Sequence, residues 1–185
     1  MPPFAPSRAS SETSDAVGLV IALLVRHPQL ATIGSNPGAG TVTLSFAVRG
    51  PLGRGVEREL RDLVGEHVRT LLQLGREEPG TLTVACEPDP TTSFVRITRD
   101  ARTLTRAELQ LLVALLSARF AERLIVNPPS DEDGIEDDPG DDDLVDYALD
   151  ALRDPAHERS LVGFREEKRV LVYFVPARKK KARAR

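Results

Sequence analysis

Three groups of residues in this 185-residue chain are of types that do chemistry. They are the Cys86 thiol with the imidazoles of His27, His67 and His157, a run of nine carboxylates from Asp131 to Asp143, and six cations near the C-terminus: Arg178, Lys179, Lys180, Lys181, Arg183 and Arg185. A thiol beside an imidazole is a nucleophilic pair, because the base removes the proton that masks the sulfur. His67 falls on the apolar stripe of a helical segment and Cys86 on the inward pleat of a strand, so such a pair is geometrically conceivable. A buried thiol and a core-edge imidazole satisfied by backbone or water is the plainer reading, and no catalytic residue is assigned. His27, before Pro28, and His157 have no partner at ligand spacing. One cysteine and scattered histidines form neither an internal disulfide nor a zinc framework, so no metal or cofactor is expected.

The acidic run invites a calcium loop, which needs oxygen ligands at its first, third and fifth positions before a sixth-position glycine. Taking Gly134 as the sixth puts Pro129 first, and taking Gly140 puts Ile135 first and Pro139 fifth, so both frames fail. The run reads as a solvated surface excursion. The basic end is the only charged feature that points to a partner. Its six cations can displace counterions from nucleic acid, with a log-log salt slope of at most about -5 and no sequence preference. Gly53-Arg54-Gly55 is a lone G-x-G before a helix, and the chain holds no P-loop, G-x-S-x-G or H-E-x-x-H pattern. Base stacking on a sheet is not expected either, since the nearest candidate, Ser93 to Arg99, offers Phe94 without a glycine or second aromatic.

Composition sets the frame. Hydrophobic residues at 41% and charged residues at 29% exclude a wholly disordered chain, and the formal charge of -3 leaves the body balanced once the two charged runs are set aside. Heavy use of Arg, Ala, Gly and Pro is the pattern of a GC-rich bacterial gene. The longest apolar run, Ala16 to Val25, is half of what a bilayer demands and lacks the flanks of a signal peptide, so a cytoplasmic protein without membrane contact is expected.

The elements that must position these residues follow from periodicity. Residues 1–14 read as a disordered tail. Asp15 caps a helix with Val17, Leu19, Val20, Ile21, Leu23, Leu24 and Val25 apolar on every side, which must lie in the core or at a subunit interface. Leu30–Ser35 and Thr41–Arg49 flank the turn residues Asn36 to Gly40 and predict a hairpin. Leu60, Leu63, Val64, Val68, Leu71 and Leu72 share one helical stripe that Gly75 ends. A second hairpin spans Leu82 to Thr98. Thr105 and Glu108 form a capping box for a helix through Phe120, whose apolar face Leu111 and Leu115 widen enough to meet two elements, the first helix being one.

From Thr41 the order is strand, helix, strand, strand, helix. A final strand would complete a ferredoxin-like β-α-β-β-α-β unit, and Val170–Val175, apolar on both pleats, fits that place better than Leu124–Asn127, which Pro128 stops. Both faces of Val170–Val175 should then be covered. Leu144–Leu152 predicts a returning helix and Ser160–Phe164 the partner of the last strand. A helix and hairpin thus occur twice, at Val17–Val48 and Leu144–Val175, with little side-chain agreement.

The expectation is a single α+β domain over residues 15–176, an antiparallel-rich sheet with helices on one face. An acidic surface loop spans 127–143 and a basic disordered tail 177–185. The function expected is a non-enzymatic cytosolic binding or regulatory protein that self-associates through its apolar first helix, with a protein partner or a second copy as ligand. The alternative is a nucleic-acid accessory protein that uses the C-terminal cations.

Overall fold

A computed structural model describes residues 17–18, 20–127, 141–153, 160–166 and 169–175, the side chains of Asp141, Asp142 and Leu144 excepted. Helix α1 covers residues 20–26. It is followed by β1 (Thr32–Asn36), β2 (Thr41–Arg49), α2 (Val56–Leu74), β3 (Leu82–Glu87), β4 (Thr92–Asp100), α3 (Arg106–Phe120), α4 (Asp141–Arg153), β5 (Ser160–Glu166) and β6 (Arg169–Val175). The six strands form one open sheet in the order β3-β4-β2-β1-β5-β6, antiparallel at every junction. The architecture is α+β.

Alternation decides which face is buried. In β2, Val42, Leu44, Phe46 and Val48 point to one side and lie level with Ile97 and Val95 of β4, Val84 of β3 and Ile33 of β1. The helices cover this side. On α2 the residues Leu60, Val64, Val68 and Leu72 recur every fourth position and are buried, while Glu57 and Glu59 occupy the first turn, where carboxylates oppose the exposed N–H dipoles. Gly55 starts the helix at φ +91°, a conformation that favours glycine.

Helix α3 packs against both α2 and α4, so its wide apolar face does meet two elements. Arg153 of α4 donates to the carbonyls of Ala101 (3.1 Å) and Leu104 (2.7 Å), tying α4 to the β4–α3 turn. The first helix lies over β5. Its Leu24 carbonyl accepts from Arg165 at 2.7 Å, and its Val20 and Leu24 sit above Gly163.

The position beside β2 differs from the ferredoxin-like expectation. It is filled by β1, with one antiparallel bridge from Leu124 to Val48 beyond it. A short turn delivers β1 to β2 directly, with Asn36 accepting the Ala39 N–H at 3.2 Å and Gly40 at φ +62°; sequence-adjacent strands take such a flank before distant ones. Consequently Val170–Val175 is not a covered closing strand. Among the described residues it is the outer strand of the sheet and pairs with β5. Of the stretch 127–143 expected as an acidic loop, Asp141 to Asp143 lie in α4. The tails, residues 128–140 and His157 lie outside the described residues.

The two helix-and-hairpin segments face one another. The inner strand of each, β1 and β5, pairs antiparallel from Thr32↔Phe164 to Ser35↔Leu161, so β2 and β6 take equivalent places on either side.

Candidate interaction surface

On β5 and β6 the open side of the sheet presents Val162, Phe164, Leu171, Tyr173 and Val175, because these positions alternate with the helix-side row of Leu161, Gly163, Val170 and Val172. Phe164 and Tyr173 stack with ring centroids 5.5 Å apart and an interplanar angle of 11°. Tyr173 remains 54% exposed and Val175 43% exposed. Among the described residues no strand pairs with the outer side of β6. Six successive apolar residues, Val170 to Val175, thus form an edge without proline, lysine or a bulge to block pairing.

The opposite edge is treated differently. There α2 packs against β3, and the outward amide of Cys86 donates to Glu57 Oε2 at 2.9 Å. Glu57 thus takes one outward amide of β3, whereas β6 has no strand partner on its outer side among the described residues.

The structure does not bring the candidate nucleophile and base together. Cys86 bonds to Glu57 in the first turn of α2, whereas His67 sits ten residues on, about 15 Å along the axis at 1.5 Å per residue. Burial pushes the Cys86 thiol up, the Glu57 carboxylate adds to the rise and Arg61 offsets part of it, so the sulfur is held protonated. His67 Nδ1 donates to the Leu63 carbonyl at 2.8 Å. It lines an open groove of about 370 Å³ with Glu66, Thr70, Leu71, Leu74 and Leu111, but Cys86 is not on that wall. Thr70 on that wall donates its hydroxyl to the Glu66 carbonyl at 2.8 Å, within its own helix. The Gly53-Arg54-Gly55 loop is a helix start, with Val56 N–H bonded to Gly53 O and two carboxylates in the turn where a phosphate would sit.

Residue chemistry alone missed a buried ionic cluster. Arg99 and Glu108 are both 0% exposed, joined by two parallel hydrogen bonds from Nε to Oε1 and from Nη2 to Oε2. The other guanidinium protons go to Asp100, Thr103 and the Thr81 carbonyl. Burial opposes ionisation of Asp100, yet bonds from Thr103 and the Thr81 amide, with the Arg99 charge, outweigh it and hold the carboxyl far below its usual range. Every donor of this cluster is occupied, so it braces the β4–α3 turn. Thr105 does accept the Glu108 N–H at 3.2 Å, but the Glu108 carboxylate turns inward to Arg99 and leaves the capping box half formed.

Among the described residues no group of three His, Cys, Asp or Glu could hold a metal ion, and no helix is long and apolar enough to cross a membrane. The cations Arg178, Lys179, Lys180, Lys181, Arg183 and Arg185 fall outside the described residues. No protein-family model matches the chain, and no curated protein or solved structure matches it.

Proposed function

We propose that this chain is a non-enzymatic cytosolic binding protein whose docking element is the outer edge of β6, where an extended protein segment adds to the sheet as a further strand. The observation that carries the reading is the mismatch between what β6 is made of and where it stands. Its apolar run suits a strand covered on both faces, but Tyr173 and Val175 stay exposed on a strand with no outer strand partner among the described residues. A binding role also suits the polar groups, since the Arg99 cluster is fully occupied and the Cys86 thiol is protonated. Association through the first helix is the weaker route, because Val20, Leu23 and Leu24 already lie in the core. The scaffold is a variant of the ferredoxin-like unit, β2 to α3, with β1 in the closing place.

The test is fluorescence anisotropy with a labelled peptide carrying the sequence Arg169–Val175 between solubilising lysines. Saturable binding that is lost in the Tyr173→Lys/Val175→Lys chain supports the reading. Absence of binding, or equal binding to both chains, contradicts it.

A second reading rests on the cations that begin three residues after Val175. Non-specific nucleic-acid binding by that run predicts affinity at low salt that disappears when residues 178–185 are removed.

A further inference from the structure

We propose that the groove between α2 and α3 is a binding site for a small apolar amine, its ammonium group held by Glu66, His67 and Thr70 and its hydrocarbon laid along Leu71, Leu74 and Leu111. The site is separate from the β6 edge and does not depend on it. Helical spacing lays out its two halves. On α2, Glu66 and Thr70 stand one turn apart on one line, and His67, Leu71 and Leu74 follow on the line beside it, at i, i+4 and i+7. Leu111 of α3 supplies the facing wall. The polar groups therefore gather toward the start of the groove, and leucines fill the rest.

The polar end offers acceptors and no donor. His67 Nδ1 bonds to the Leu63 carbonyl at 2.8 Å, and because a carbonyl only accepts, the ring hydrogen lies on Nδ1 and the neutral imidazole presents a lone pair at Nε2. The Thr70 hydroxyl spends its hydrogen on the Glu66 carbonyl at 2.8 Å, which leaves its oxygen as an acceptor. The Glu66 carboxylate only accepts, and it is in no ion pair among the described residues. No cation lines the groove. Arg69, two residues from His67, lines a different cavity with Gln73, Glu77 and Glu78, and Arg106, five residues before Leu111, reaches Asp146 of α4 at 3.7 Å. Three acceptors and one negative charge select a ligand that brings donors and a positive charge. An ammonium brings three N–H groups and that charge, whereas a carboxylate brings neither.

The leucine end fixes the rest of the ligand. Leu74 is 82% exposed, more than any other large apolar side chain among the described residues, so a hydrocarbon seated there takes apolar surface out of water. The groove, about 370 Å³, is at the small end of ligand sites, which run about 300–1,000 Å³. From His67 to Leu74 it extends roughly 10 Å at 1.5 Å per residue, a length that an extended octyl chain covers.

Leucine-methyl NMR titration of the full chain with octylamine, octan-1-ol and octanoate, each below its micelle concentration at neutral pH, tests the site. Octylammonium should shift the Leu71, Leu74 and Leu111 methyls saturably and bind at least about tenfold tighter than octanoate, which meets Glu66 as a like charge. Glu66→Gln changes an exposed side chain and should weaken the amine about two- to fivefold, the usual worth of an exposed ion pair, while leaving the alcohol unaltered. The Tyr173→Lys/Val175→Lys chain should bind the amine as the unsubstituted chain does, because the β6 edge plays no part. Equal affinity for amine and octanoate, equal affinity for amine and alcohol, unchanged amine binding in Glu66→Gln, or no saturable shift of the three methyls would overturn the proposal.

Discussion

Gly163 of β5 lies directly beneath Val20 of α1: a Cβ built on the glycine would stand 2.3 Å from Val20 Cγ1 and 3.1 Å from Leu24 Cδ1. Such a distance is far inside van der Waals contact, so any side chain larger than hydrogen must lift the helix. Gly163→Ala should destabilise the protein by about 1–3 kcal/mol, the cost of overpacking a close-packed site. Val20→Ala in the same chain should recover part of the loss by vacating the space. Urea denaturation of the two variants measures both values, and an unchanged midpoint for Gly163→Ala would place α1 elsewhere.

The buried Arg99–Glu108 pair predicts strong non-additivity. Arg99→Met leaves the Glu108 carboxylate uncompensated where it is 0% exposed, at a cost of about 3–5 kcal/mol. Arg99→Met/Glu108→Leu removes both charges, and because buried pairs replaced by apolar groups are often near neutral, most of the loss should return. A double-mutant cycle in urea reads the coupling directly.

Stability should fall in two steps as the solution is acidified. Burial, helped by the charge of Arg26, depresses His27 below its usual 6.5, and its Nε2 is buried without a hydrogen-bond partner. The unfolded chain therefore takes up that proton first, so stability declines as pH drops below about 6.5 and levels off under the folded value. Asp100 works in the acid range. Its folded pKa lies below the ordinary 3.8, so its contribution is complete above that value and is lost as pH falls below about 4. Melting temperature against pH should show both steps, and His27→Gln should erase the upper one alone.

Cys86 should react slowly with a thiol reagent at neutral pH, since burial and the adjacent Glu57 carboxylate both disfavour the thiolate. Glu57→Gln removes the second effect and should raise the native-state alkylation rate severalfold. A rate equal to that of an unfolded control would contradict the raised thiol.

Much of the fold was legible because its periods are local. Leu60, Val64, Val68 and Leu72 mark their helix by spacing alone, and Val42 to Val48 mark their strand by alternation. What could not be read was partnership at long range. Arg99 in an alternating strand looks like a solvated cation until the β4–α3 turn brings Glu108 beneath it. Phe164 and Tyr173 are nine residues apart, and they stack only because the hairpin register sets Val162 against Tyr173 and Phe164 against Leu171. The apolar character of Val170–Val175 was visible in the residues. Its place as the outer strand among the described residues followed from β1 taking the flank of β2, a competition between strands that composition does not record.

The docking role of β6 is tested most directly by amide hydrogen exchange, strand by strand, with and without saturating β6 peptide. The outward amides of β6 should slow on occupancy by an order of magnitude or more, as newly bonded strand amides do, while those of β3 keep their rate. Identical β6 exchange in both conditions would show that the edge accepts no strand.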